Sequence, residues 1–348
     1  KVHNGDRLVS NTIARVVQRA DEIMELLACY QLQNPDRSGY KRLNRLSRQI
    51  QNGLKQAFNN FDEYQFGKYN RNNAAVKLKD ALFLVHPKAK SSEQQEIFNK
   101  IASDNLEVPY TWETELSKLG QKAFDSQEEK NKALRECWKG LIESGRLGYM
   151  ALLRNLRNIL AAGLDSYTLK IVCDTISSEH AVKKSKQLPF RFYAAYQEIC
   201  QIETPNTHLI IDALEKAVVH SVNNIAHFDA NTSVLLACDV SGSMTNRIST
   251  QSKIMNYDIG ILLASALRQK CSRVITGIFG DIWHPSEGGP RYPILRNTTA
   301  MHSNINKVGY STNGYKVIDW LISLNIKMDK IMFFTDMQMW DSTASGSH

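Results

Sequence analysis

The sequence predicts an α plus α/β protein: a long array of α-helices over residues 1–228, then a doubly wound domain with a parallel sheet over residues 229–348. Three observations predict it. From residue 8 to residue 225 apolar residues recur at helical spacing, stretch after stretch, with Gly, Pro, Asn and Ser confined to short linkers. Past residue 230, short and wholly apolar runs alternate with helical segments, the pattern of strands buried on both faces of a parallel sheet. The net charge of +8 is unevenly placed: residues 1–200 hold 31 Lys+Arg against 23 Asp+Glu, while residues 201–348 hold 12 of each.

The helical elements follow in order. "SNTIARVVQRADEIMELLACYQ" predicts one helix capped by Ser10, and "GYKRLNRLSRQIQNGLKQAFNNF" a second, with Leu43, Leu46, Ile50, Leu54 and Phe58 on its apolar face. "SEQQEIFNKIAS", "EEKNKALRECWKGLIESG", "YMALLRNLRNILAAG", "SYTLKIVCDTIS", "LPFRFYAAYQEIC" and "NTHLIIDALEKAVVHSVNNI" continue the series. Helix upon helix with short linkers implies a solenoid of stacked helix pairs, although no clean sequence repeat marks its period. The α/β part reads strand "TSVLLACD", helix "YDIGILLASALRQKC", strand "RVITGIFGD", helix "GYKVIDWLISLN" and strand "KIMFFTD".

Composition excludes several classes. Hydrophobic residues at 43% and charged residues at 22% are those of a globular chain. No apolar run approaches the ~20 residues of a membrane span, and the opening "KVHNGDRLVS" has no apolar signal-peptide core. The six cysteines are scattered without a C-x-x-C pair, which suits thiols in a reducing compartment and points to the cytoplasm. His86, His208 and His220 stand in no ligand or triad spacing, and no Walker loop, H-E-x-x-H or Ser/His/Asp set occurs.

Two constellations carry chemistry. In "VLLACDVSGSMT" an apolar strand ends in Asp239 and is followed by Ser241 and Ser243; Asp336 ends the strand "MFFTD", and the loop "GYSTNGY" offers Thr312. Open α/β sheets bind ligands beyond the carboxyl ends of their strands. Two carboxylates and three hydroxyls from three loops would meet there. All five are hard oxygen ligands, without His or Cys, so the expected occupant is a divalent cation, most simply Mg²⁺, rather than zinc. For the D-x-S-x-S pentapeptide alone, a turn or a helix cap is the commoner reading; the Thr312 loop and the second strand-end Asp, Asp336, tip the set to a cation site.

The second constellation is basic. Six basic residues and no acidic one lie between Asp36 and Asp62; of these Lys41, Arg42, Arg45, Arg48 and Lys55 are candidate phosphate contacts, with Lys41, Arg45, Arg48 and Lys55 spaced to share one helix face. "KYNRNNAAVKLK" adds Lys68, Arg71, Lys77 and Lys79 around Tyr69, which reads either as a base-stacking ring or as a core tyrosine. In "MALLRNLRNIL", Arg154, Asn155, Arg157 and Asn158 lie off the apolar stripe Met150, Leu153, Leu156 and Leu160. They suit backbone and base-edge contacts to unpaired RNA, or hydrogen bonds between helices. Lys183, Lys184, Lys186 and Arg191 form a basic loop running into a helix begun by Pro189, where free N–H groups favour phosphate. A basic excess confined to one region suits a polyanion such as RNA; a solvated basic surface is the alternative.

The cation set resembles the metal-ion-dependent adhesion site of von Willebrand factor A domains, matched here by Asp239, Ser241, Ser243, Thr312 and Asp336. "MALLRNLRNI", "KQLPFRFYAAYQEI" and "IDALEKAV" resemble the TROVE module of the Ro ribonucleoproteins, and a TROVE module followed by an A domain is the Ro architecture. The resemblance implies HEAT-like helical repeats closed into a ring by the A domain. It implies a monomeric, non-catalytic protein that binds small structured Y-type RNA on its outer basic surface and single-stranded 3′ ends of misfolded RNA in the hole. Bacterial relatives work beside an exoribonuclease. Relatives commonly carry a histidine before the Lys-Asp of the outer helix, where Leu78 precedes Lys79 and Asp80 here. The chain is also expected to lack the first helices of the module and the end of the A domain. Competing expectations are a protein-interaction scaffold and a metal-dependent phosphoesterase. The second has one cation site rather than a pair and no evident general base.

Overall fold

The structure is a computed structural model, described over residues 6–33, 46–70, 73–223, 228–229, 231–286 and 292–338. It divides into two compact units, Lys1–Gln121 and Lys122–His348. The change from helices to strands therefore lies inside the second unit.

The first unit is helical: α1 (Leu8–Val16), α2 (Ala20–Gln33), α3 (Arg48–Ala57), α4 (Glu63–Tyr69), α5 (Leu78–Val85), α6 (Ser92–Ala102) and α7 (Trp112–Gly120). The single helix expected from Ser10 is two. Glu22 turns back and accepts from the N–H groups of Gln18 (2.7 Å) and Arg19 (3.0 Å), which satisfies donors at the start of α2 and separates it from α1. Ser10 itself is buried within α1, its hydroxyl donating to the Arg7 carbonyl. The second expected helix starts only at Arg48. Ser47 is extended and its hydroxyl caps α3 by accepting from the Ile50 N–H. α1 and α3 approach so closely at Gly53 that any Cβ there would meet Ile13 Cβ at 2.7 Å and the Ser10 carbonyl at 2.8 Å. Phe58, Phe66 and Phe98 pack ring to ring at 5.8–6.0 Å in the core. Gln94, buried beside them, donates to the carbonyls of Phe58 and Phe61 at 3.2 Å and so leaves neither acceptor unsatisfied.

The second unit begins with α8 (Gln127–Glu143), α9 (Tyr149–Ala161), α10 (Ser166–Ser177), α11 (Glu179–Ser185), α12 (Pro189–Ile199) and α13 (Thr207–Ser221). Asp165 caps α10 by accepting from the Thr168 N–H at 2.8 Å; that bond, with Lys139 beside it, holds its carboxyl down at about 2. Pro189 occupies the first turn of α12, as expected. α13 packs on α10, α11 and α12, and α12 packs on α9.

The strands β1 (Ser233–Asp239), β2 (Arg273–Phe279), β3 (Trp283–Pro285) and β4 (Lys330–Phe334) form a four-stranded sheet in the order β3-β2-β1-β4. β1 runs parallel to β2 and β4, but β3 is antiparallel to β2, so the sheet is mixed rather than wholly parallel. Residues 280–282 join β2 to β3, and a connection that short permits only a hairpin. From Val234 to Asp239 β1 is fully buried. Val234, Leu236 and Cys238 face the side covered by α14 (Asn256–Lys270) and α15 (Ile294–His302); Leu235 and Ala237 face α16 (Tyr315–Ser323). The helical part and the sheet are joined through Glu215 of α13. Its carboxylate accepts from the Leu295 and Arg296 N–H groups at 3.1 and 3.0 Å, at the positive start of α15.

Candidate functional site

Two places in the second unit gather functional side chains. The first lies beyond the carboxyl ends of β1 and β4. Asp239, the last residue of β1, is wholly buried. Its Oδ1 accepts from the Ser241 N–H at 2.9 Å and its Oδ2 from the Thr335 hydroxyl at 2.6 Å, so the carboxylate is fixed by both loops. The hydroxyls of Ser241 and Ser243 lie 3.3 Å apart. The Gly242 N–H donates to the Tyr310 carbonyl at 2.9 Å, which brings the Thr312 loop against the serine loop. Thr312 is buried, whereas Asp336, next to Thr335, is exposed and accepts from the Gln338 N–H. Four of the five expected ligands thus belong to loops tied to one another, and the fifth adjoins a residue bonded to Asp239. The donor set is hard oxygen throughout and fits a cation such as Mg²⁺.

The residue that sequence reasoning missed here is Asp281, just after β2. Its Oδ1 accepts from the Ser311 N–H at 2.8 Å, and its own carbonyl accepts from the Asn313 amide at 3.2 Å. Hydrogen bonding from the Ser311 side chain and N–H lowers its carboxyl below the usual carboxylate range. Gly309, at φ +76°, lies directly against that carboxylate. Asp281 therefore positions the Thr312 loop from outside the ligand set. The sequence carried only a partial signal: Asp281 stands two residues past the end of β2, much as Asp239 ends β1, but nothing in "GIFGD" shows the bond to Ser311.

The second place is a groove of about 690 Å³ between α9, α12 and the loop at residues 249–253. Arg154, Arg157 and Asn158 of α9 and Arg191 of α12 line it, four of the expected RNA contacts. Lys253, Ser249, Gln251 and Ser252 complete it from the α/β side and were not foreseen, because no periodicity marks the polar stretch "RISTQSK". Asn155 is a correction. It is 3% exposed, donates to the Ala151 carbonyl at 2.9 Å and accepts from Asn158 at 3.1 Å, so its amide is consumed within α9. The stripe predicted off the apolar face turns inward at that one position.

The other basic candidates are dispersed. Lys41, Arg42, Arg45 and Arg71 lie outside the described residues. Arg48 and Lys55 both belong to α3. Tyr69 is half-buried against the core, with Arg19 at 5.7 Å and Lys68 at 5.6 Å from its ring centre, so its faces already carry cations. Lys77 is exposed at the start of α5, and Lys79 pairs with Asp104 at 2.6 Å. Leu78, between them, is fully buried in the core. Lys183 and Lys184 stand on α11 rather than in a loop, with Lys183 paired to Glu179 at 2.7 Å. Lys186 takes the left-handed position that ends α11, at φ +53°.

Among the described residues no helix is long and apolar enough to cross a membrane. Residues 104–221 match the TROVE domain family. The chain is 36% identical over 98 residues to telomerase protein component 1 of Rattus norvegicus and 38% identical over 98 residues to that of Mus musculus, covering 28% of this chain and 3% of each relative. It is 27% identical over 218 residues to the RNA-binding protein RO60 of Deinococcus radiodurans, covering 59% of this chain and 40% of the relative. The chain thus spans less than half the length of these curated relatives. The crystal structure of the Deinococcus radiodurans RO (RSR) protein has the same fold, with a TM-score of 0.59 at 19% identity over 96% of this chain and 71% of that one. Residues 104–221 thus match the TROVE domain, and the chain is similar in sequence to a Ro protein of Deinococcus radiodurans and shares its fold along nearly its whole length.

Proposed function

We propose that this chain is a non-catalytic RNA-binding protein of Ro type that takes single-stranded 3′ ends of misfolded RNA into the groove between α9, α12 and residues 249–253. The observation that carries this reading is the groove itself, where Arg154, Arg157, Arg191 and Lys253 converge from three separate segments. Phosphodiesters suit such a set, because each cation that meets a phosphate releases bound counterions. Asn158, Gln197 and Gln251 offer amides to the edges of unpaired bases. Small structured non-coding RNA is assigned to the basic residues of the first unit. The buried Leu78 there stands against a histidine-based contact of the kind common in relatives.

In the same reading the α/β part is a von Willebrand factor A-type domain joining the ends of a ring of helical repeats, and Asp239, Ser241, Ser243, Thr312 and Asp336 hold a Mg²⁺ ion. The ion would supply an open coordination position for water or for a partner's carboxylate. The protein acts as a cytoplasmic monomer that hands RNA to an exoribonuclease. A relative named RNA-binding protein RO60 supports the RNA partner.

The test is equilibrium binding of a labelled single-stranded oligoribonucleotide between about 50 and 200 mM salt. Affinity that falls steeply with salt, without cleavage in Mg²⁺, is expected. Flat salt dependence or no binding would leave a protein-interaction scaffold, and cleavage abolished by Asp239→Ala would indicate a phosphoesterase.

A further inference from the structure

The groove's charge has a second side. Glu198 of α12 is the one acidic residue among those that line it. Its Oε2 pairs with the Arg157 guanidinium of α9 at 3.1 Å, and its Oε1 with the Lys253 ammonium of the loop that follows the D-x-S-x-S segment. These two pairs hold its carboxyl below the usual carboxylate range, Lys253 contributing most. The carboxylate therefore sits as a bridge between two cations that reach it from different parts of the unit. Arg191, seven residues earlier on α12 and on the same face, lines the groove beside Ala194 and Ala195, whose short side chains leave the space between the two charged positions open.

A carboxylate in this place imitates a phosphate: one anionic centre, two acceptor oxygens, and a cation on each. We propose that Glu198 is a built-in counter-anion of the groove, and that a phosphodiester of a single-stranded polyanion takes its place between Arg157 and Lys253, making Lys253 a phosphate ligand. This inference rests on the RNA-binding reading above and adds Glu198 and a mode of entry to it. With its cations already paired, the groove gains only the difference between a phosphate and Glu198. Isolated phosphates and short weak anions then compete poorly. A chain of phosphodiesters, anchored also at Arg154 and Arg191, wins the exchange by holding several contacts at once. Glu198 thereby sets a threshold of ligand length and charge.

The test uses the full chain and an oligouridylate probe, comparing wild type, Glu198→Gln, Lys253→Gln and the double variant across salt concentrations. Removing two exposed ion pairs that compete with the ligand is expected to tighten binding by about threefold to tenfold at low salt. The plot of log affinity against log salt should steepen by about 0.7 for each cation released to a phosphate. Lys253→Gln should weaken binding, and should cost more in the Glu198→Gln background than in wild type, because there Lys253 meets only the phosphate. If wild type binds and Glu198→Gln binds equally or more weakly with an unchanged melting temperature, the inference is overturned while the RNA-binding reading stands. If Glu198→Gln fails to fold, Lys253→Gln decides: affinity equal to wild type overturns the inference. Absence of binding in wild type and every variant overturns the underlying reading instead.

Discussion

Gly309→Ala should damage the proposed cation site without altering any of its candidate ligands. Gly309 has φ +76°, where an L-residue costs roughly 1–2 kcal/mol. The added Cβ would also overlap the Asp281 carboxylate, which must then move. Moving it threatens its bond from the Ser311 N–H at 2.8 Å; a hydrogen bond to a charged group is worth about 1.5–3 kcal/mol, and we take the lower end because Asp281 is exposed. Together these give about 2.5–3.5 kcal/mol, or a fall in melting temperature of about 5–14 °C for a unit of this size. The same shift displaces Tyr310, whose carbonyl holds Gly242, so Mg²⁺-dependent stabilisation should shrink as well. Differential scanning calorimetry with and without Mg²⁺ reads both effects. In a double-mutant cycle with Asp281→Ala, the part due to the collision should vanish and only the backbone cost of about 1–2 kcal/mol remain. A fall of under 2 °C in the single variant, or strict additivity in the cycle, would refute the assignment of Asp281 as the support of the Thr312 loop.

Arg154→Gln and Arg191→Gln should each weaken binding of single-stranded RNA and flatten its salt dependence by about 0.7 in log–log slope, whereas Asn155→Ala should leave affinity unchanged and lower stability by about 1 kcal/mol, as seen by filter binding and urea melts. Leu78→His, which places a histidine where the resemblance to Ro proteins leads one to expect it, should destabilise the first unit by about 2 kcal/mol or more, because it puts a polar ring in the core; an unchanged urea midpoint would show that the site can open. The bridge at Glu198 has a definite pH signature. Its carboxyl is lowered from 4.5, so the stabilisation it gives is complete above that value and is lost as pH falls through the lower folded value. The stability difference between wild type and Glu198→Gln should be constant at neutral pH and close in acid; a difference that grows in acid would have the wrong sign.

In the second unit α8, α9, α10, α12, α13, α14 and α16 were legible because each repeats apolar residues at helical spacing, and two carry a start signal, the Asp165 cap of α10 and Pro189 at the start of α12; α11, expected as a loop, and α15 were not foreseen. β1, β2 and β4 were legible because each is an apolar run without alternation, the pattern of a strand buried on both faces; β1 and the second half of β2 are buried, whereas β4 is only half-buried. The break between α1 and α2 was not, since it depends on Glu22 reaching back to Gln18 and Arg19, which competes with an otherwise unbroken helical pattern. β3 is three residues long and offers no periodicity, and its pairing is set by a tight turn. In the proposed cation site the candidate ligands could be picked out one by one, because each stands at a strand end or in a hydroxyl-rich loop. Asp281 could not, because its role exists only through the fold that brings Ser311 to it. The groove was half legible. α9 and α12 announce their basic faces, but Asn155 turns inward by one position on the helix, and Lys253 and Glu198 become partners across 55 residues of chain.

Photo-crosslinking of a thiouridine-labelled oligoribonucleotide to the full chain, with the attached peptides located by mass spectrometry, asks most directly where single-stranded RNA lies. Adducts should fall on α9, on α12 and on the loop at residues 249–253, and should disappear from these peptides in an Arg154→Gln, Arg191→Gln double variant. Adducts confined to residues 6–121, or spread evenly over the basic surface and unaffected by the double variant, would contradict the groove as the RNA-binding site.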